Sequence, residues 1–227
     1  VLDGASGLLA AARAANAGEL DPTRLATLAR SVGPGTSPLR VLTGLPRPDR
    51  WAEVRASSFD DVLSAGCGLA DWVVVDAGFS LEGELPDPFA PGPQRNLMTL
   101  AALHRADEVV VVGSADPVGL SRLARGLVDL HDLVPAASVR VVVNRTRASL
   151  GWSEQEMSGM VEGFVRPVGV HFVPDDRPAA DRAMMAGSSV VESGDSPLRR
   201  ALGSVADAVV GERAAPARGR LRRRTRA

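Results

Sequence analysis

The clearest pattern in the chain is an unbroken apolar run, Trp72-Val73-Val74-Val75, opened by Asp71 and closed by Asp76-Ala77-Gly78. A run without polar alternation suits a strand covered on both faces, as in a parallel sheet. Valine-rich stretches that read as further strands recur at 108–112, 139–143 and 168–173, and a shorter one at 39–42. Between them lie stretches with helical spacing and recognisable ends. Residues 7–15 read as an Ala- and Leu-rich helix closing near Asn16-Ala17-Gly18. Asp21-Pro22 opens a second helix, with Asp as N-cap and Pro in the first turn, and Leu25, Leu28 and Ala29 on one face. Ser58 followed by Asp61 resembles a capping box for a helix over 59–65, and Ser153 followed by Glu156 a second one for a helix reaching Phe164. Further helices are expected over 97–104, from Asp116-Pro117 to Leu133, over 179–186 with a stop at Gly187, and over 197–210 with a stop at Gly211.

Strands alternating with helices of these lengths predict an α/β fold with a doubly wound, mostly parallel sheet between helical layers. Parallel strands point their carboxyl ends the same way. Thr43-Gly44, Asp76-Gly78, Ser114-Asp116, Asn144-Arg145 and Asp175-Asp176 are therefore expected along one edge, where ligands bind in this architecture. The loop over 78–95 holds four prolines, and a loop of that length in a compact domain is usually functional or mobile. The Gly- and Pro-containing stretch 33–37 lacks phosphate-loop spacing and opens no helix, so it reads as a turn.

The composition narrows the chemistry. Hydrophobic residues make up 45% of the 227 positions, enough for a substantial core. No apolar run approaches membrane-spanning length, and no signal peptide opens the chain. The chain opens on Val rather than Met and reads as a piece of a longer one. Lys, Ile and Tyr are absent, so all 26 basic residues are Arg. A phosphate-loop lysine, a Schiff-base lysine and a catalytic tyrosine are thereby excluded from these residues. The single Cys67 excludes an internal disulfide, fits a reducing cytoplasm and reads as a small buried hydrophobe. His104, His131 and His171 are scattered without metal-ligand spacing. The formal charge of −1 divides unevenly: residues 212–227 carry seven Arg and one Glu, on an otherwise acidic body. This basic tail is expected to be disordered and is a candidate for contact with nucleic acid or anionic surfaces; a solvated terminus with no partner is the plainer alternative.

Two polar positions carry most of the candidate chemistry. Asp76, at the end of its run, is placed as carboxylates that serve Mg²⁺ and phosphate often are, although an Asp there can equally cap a turn. Asn144 offers an amide that can pair with an adenine edge, donor to acceptor and acceptor to donor. No GxGxxG follows a strand, which argues against a dehydrogenase-type cofactor domain.

The ordered set WVVVDAG, DEVVVVGSADP, VRVVVNR and VHFVPDD resembles the second half of the MinD/ParA family of P-loop ATPases. Within that family it is most similar to the CpaE-like branch of GC-rich bacteria, including LRVLTG and DAGFSLE. The similarity spans nearly all of residues 1–211, which the resemblance makes one ATPase core followed by the tail. It implies a P-loop NTPase-like fold, incomplete at its N-terminus, with ATP and Mg²⁺ as cofactors. Asp76 would be the carboxylate near Mg²⁺ and the attacking water, and Gly78 part of the loop that senses the γ-phosphate. Asn144 would read adenine with Arg145 beside it, and Pro174-Asp175-Asp176 would line the base pocket. Members dimerise around ATP and position chromosomes, division septa or pili. The phosphate loop with its lysines would lie upstream, so these residues alone should not hydrolyse ATP. A catalytically inactive interaction scaffold, working through its loops and basic tail, is the alternative from another class.

Overall fold

The structure is a computed structural model that describes residues 6–33, 39–82 and 95–214, with side chains described as far as residue 211. The chain is α/β and divides into two compact units, Val1–Asp107 and Glu108–Ala227. The expected phosphate-loop-free turn at 33–37, most of the long loop at 78–95 and nearly all of the basic tail fall outside the described residues.

The first unit is mainly helical. Its elements are α1 (Gly7–Asn16), α2 (Pro22–Leu28), β1 (Arg30–Val32), β2 (Leu39–Val41), a 3₁₀ turn at Pro48–Glu53, α3 (Ala56–Leu69) and α4 (Leu97–Arg105). Ser6 caps α1: its Oγ accepts from Leu9 N at 3.1 Å and donates to Gly44 O at 2.8 Å. Thr43 serves the same helix end, its Oγ1 accepting from Gly7 N and its carbonyl from Leu8 N. Three N–H groups that the helix cannot satisfy internally thus find partners. Asp21 caps α2 as its sequence predicts, accepting from Arg24 N at 2.6 Å.

Two apolar clusters hold these helices together. Leu9 and Ala12 pack with Val54, Phe59, Leu63 and Ala102, while Ala11 packs with Leu25, Val62 and Ala65. Burying a Leu, Val or Phe side chain contributes about 1.5–3 kcal/mol, so these contacts fix α1 against α3. Ser58 does not cap a helix. The α3 helix begins two residues earlier, and Ser58 lies buried inside it, donating to Asn16 Oδ1 at 2.7 Å. Cys67 is exposed rather than buried, because α3 turns that face to solvent.

Two sheet expectations fail in this unit. The strand at β2 is real, but it pairs antiparallel with β1, and all six residues of this ribbon are exposed. The run from Trp72 to Gly78 forms no strand, and Val74 is 90% exposed. An apolar run forms a buried strand only where neighbouring strands take up its backbone N–H and C=O groups. The only strands described in this unit, β1 and β2, are occupied with each other. Val73 does lie beside α3, where a Cβ on Gly66 would stand 3.5 Å from its Cγ2.

The second unit contains the parallel sheet. Its strands are β3 (Glu108–Ser114), β4 (Ser138–Thr146) and β5 (Gly169–Pro174), in the order β3-β4-β5. Between and after them come α5 (Pro117–Leu133), α6 (Glu154–Glu162), α7 (Arg177–Ala186) and α8 (Pro197–Ala214). The central β4 buries every residue from Val139 to Val143, the charged Arg140 included. On β3 the same kind of run is only half satisfied: Val109 is buried, while Val110 and Val112 are exposed. The Ser153–Glu156 capping box forms with both reciprocal bonds, and Gly187 ends α7 in the left-handed conformation. Gly211 does not stop α8, which continues to Ala214.

Two glycines bring α5 close to β3. A Cβ on Gly113 would lie 2.8 Å from Leu123, and one on Gly119 would lie 2.4 Å from Ser114 O. The second clash is with backbone and cannot be relieved by a side-chain rotation. Gly119→Ala is therefore expected to cost about 1–3 kcal/mol, the usual range for overpacking. Urea denaturation checks this: an unchanged midpoint would mean that the turn between β3 and α5 is looser than these distances require.

Candidate functional site at the carboxyl edge of the parallel sheet

Three of the five polar motifs expected at one edge come together in the second unit. In register, Ser114 stands opposite Asn144, and Asn144 opposite Val173, so the turns leaving β3, β4 and β5 adjoin. Thr43-Gly44 and Asp76-Gly78 belong to the first unit. The former is occupied in holding the start of α1.

The turn after β3 is built around Asp116. Its Oδ1 accepts from Gly119 N at 2.9 Å, capping α5, and its Oδ2 accepts from Ser114 Oγ. The Ser114 hydroxyl first, and then the Gly119 N–H, hold the Asp116 carboxyl below its ordinary range. A carboxylate with a lowered folded-state pKa stabilises the fold above its unfolded value of about 4. That contribution is lost as pH falls through the lower folded value. Asp116→Asn should therefore flatten the fall in Tm below about pH 4, relative to the parent. Parallel acid melting curves for the two proteins would contradict the assignment.

The end of β4 is the most unusual point of the backbone. Arg145 has φ of 60°, and no other described residue except glycine has a positive φ. The left-handed region crowds Cβ against the carbonyl of any L-residue, at a cost of about 1–2 kcal/mol. The sheet register slips here, with Asn144 opposite Val173 and Thr146 opposite Pro174, so Arg145 is an extra residue in the strand. Asn144 supports this kink, its Oδ1 accepting from Arg145 N at 2.8 Å. The Asn144 NH₂ group carries no hydrogen bond among the described residues. Asn144 is half-buried and Arg145 exposed.

The turn after β5 is tied to the same kink. Asp175 N donates to Thr146 O at 3.0 Å, and the Asp175 carboxylate lies 3.8 Å from Arg147. Asp176 caps α7 by accepting from Ala179 N, and its other oxygen accepts from Leu198 N at 3.5 Å. Both aspartates thus have structural work, and Pro174 ends β5 opposite Thr146.

Asp76 and Gly78 are exposed, and no strand holds them rigid. Gly78 has no positive φ, and a Cβ there would meet only Thr99 Oγ1, at 3.4 Å. No group of three His, Cys, Asp or Glu side chains among the described residues is placed to hold a metal ion. A single exposed carboxylate fits Mg²⁺ only in the mode where phosphates and waters complete its six positions.

The sequence reading passed over one polar cluster. Arg140, 1% exposed near the start of β4, pairs with Glu108 at 2.5 Å, and its Nη1 lies 3.0 Å from His171 Nε2. Arginine only donates, so the imidazole nitrogen accepts. Gly169 makes room for this group: a Cβ there would stand 2.7 Å from Arg140 Nη1. The signal was present, since Arg140 interrupts a valine run and Glu108 opens another. The cluster lies toward the starts of the strands, away from the edge that carries Asn144. Among the described residues, no helix is long and apolar enough to cross a membrane. No protein-family model matches the chain, and no curated protein is significantly similar to it.

Proposed function

We propose that the chain is the base-recognising part of a positioning ATPase of the MinD/ParA type, with ATP and Mg²⁺ as cofactors and a nucleotide-dependent dimer as its working state. One observation carries the reading: Asn144 and the kinked Arg145 stand at the carboxyl end of the central parallel strand. Strained backbone in a non-glycine residue persists where the surroundings enforce it, and such residues gather at binding sites. The Asn144 amide can donate to and accept from a base edge, while the turn at Pro174-Asp175-Asp176 supplies a wall rather than charges. Asp76 takes the position of the carboxylate that holds the attacking water, on the strength of the sequence resemblance alone. Bound Mg²⁺ and ATP would supply phosphoryl transfer to water, with the metal neutralising charge on the phosphate oxygens. No lysine occurs in the 227 residues, so the phosphate loop has to come from sequence outside them.

The test is calorimetric titration of the full reading frame with ATP and with GTP. Binding of ATP in preference to GTP supports the reading, and absence of binding to either rejects it. The second reading, an interaction scaffold without catalysis, is favoured by the exposure of Val74 and Phe79, at 90% and 101%. Exposed large apolar side chains are what a partner's surface would cover. Under that reading neither nucleotide binds, and the same titration separates the two.

A further inference from the structure

We propose that the kink at Arg145 sets base specificity by holding the Asn144 amide one way round; this inference rests on the nucleotide reading above. An asparagine amide has a donor on one side and an acceptor on the other. Left free to rotate, it can reverse, and so pair with either of two bases whose edges present donor and acceptor in opposite order. Adenine and guanine differ in this way: adenine offers an exocyclic N–H donor where guanine offers a carbonyl acceptor.

Rotation is blocked here because Arg145 N donates to Asn144 Oδ1 at 2.8 Å. The left-handed backbone at Arg145 accompanies this bond, which joins neighbouring residues. The kink is anchored on both sides. Asn144 O accepts from Ala115 N at 2.9 Å, and Thr146 O accepts from Asp175 N at 3.0 Å. The residues before and after Arg145 are thus tied to the turns leaving β3 and β5. Oδ1 keeps its second lone pair and stands next to the NH₂ group, so the fixed amide presents one order of acceptor and donor and rejects its reverse. With adenine as the base, guanine is the one rejected. Arg145 is a positioning residue in this account, acting through Asn144.

The experiment is an NMR titration of the full 227-residue chain with adenosine and, separately, guanosine, following the backbone amides of residues 144–147. Nucleosides probe the base without requiring a phosphate loop. The parent is expected to prefer adenosine by about tenfold, within the discrimination of a paired amide contact. Asn144→Asp keeps the acceptor for Arg145 N and loses the donor, so adenosine binding should be lost while Tm holds. Arg145→Gly keeps both the N–H and the conformation, and should leave the preference intact with an equal or higher Tm. Arg145→Pro removes the N–H and forbids the positive φ, and should bring the preference to within about twofold. If the proline variant does not fold, Arg145→Val serves instead, since a β-branched residue is disfavoured at positive φ. Weaker binding of both nucleosides at an unchanged ratio in these variants would make the kink merely structural and overturn the inference. A parent that binds both equally would also overturn it while leaving the nucleotide reading in place. A parent that binds neither would reject the nucleotide reading and the inference with it.

Discussion

Replacing Arg140 by alanine is expected to destabilise the second unit by about 3–5 kcal/mol, the range for removing one partner of a buried charge pair. The loss has two sources. The first is the vacated volume, because Arg140 is the largest side chain buried to less than 2% exposure. The second is the lost contacts: Glu108 would lose its guanidinium partner and His171 Nε2 its donor. Water reaches the Glu108 side chain, 19% exposed, so the lower half of that range is the better expectation. A buried ion pair is not itself a source of net stability, since desolvation offsets most of its attraction. The double variant Arg140→Met with Glu108→Gln should therefore recover much of what the single one loses. Urea denaturation followed by amide exchange of the β4 backbone measures this directly. A loss below about 1 kcal/mol for Arg140→Ala would mean that the cluster is wetter and looser than the contacts imply.

The contrast between β4 and the run at Trp72 explains what the sequence could and could not convey. A valine-rich stretch asks for partners at both edges of a strand and cover on both faces; β4 has the edges because β3 and β5 flank it, and its residues 139–143 are buried. The same statement at Val73-Val74-Val75 names a need and no neighbour, and none of the described strands of its unit meets it. Local signals fared better where the physics is local. Asp21, Asp116 and the Ser153–Glu156 box cap helices because a short polar side chain reaches an N–H three residues on. Ser58 shows the limit of that logic. Its spacing to Asp61 copies a capping box, yet the apolar positions Phe59, Val62 and Leu63 draw the helix start to Ala56.

The candidate site divides along the same line. Asn144 at a strand end was legible, because an apolar run ending in an amide is visible in the chain. The left-handed Arg145 was not. Nothing in its side chain asks for that conformation, which follows from the register slip against β5 and the bond to Asn144. The Arg140–Glu108–His171 cluster depends on three strands separated by helices, and only the sheet order brings them together. Asp175 and Asp176, expected to line the base pocket, also serve the fold, as an ion-pair partner and a helix cap respectively.

The central claim, that these residues are part of a nucleotide-hydrolysing core, bears most heavily on Asp76. Its carboxylate is exposed and carries no ion pair among the described residues, so it is available to a metal-bound or attacking water. No strand among the described residues aims it. Substitution of an exposed side chain away from caps and core changes stability within about 0.5 kcal/mol, so Asp76→Ala should leave Tm unchanged. The expected effect is on turnover, with a fall of at least about tenfold, as for loss of a group that orients a metal's surroundings. The decisive measurement is Mg²⁺-dependent ATP turnover by three proteins side by side: residues 1–227, the full reading frame, and the full reading frame carrying Asp76→Ala. The account predicts no turnover by residues 1–227, slow turnover by the full reading frame, and the tenfold fall in the variant. Turnover by residues 1–227 alone would contradict it, because these residues contain no phosphate-loop lysine.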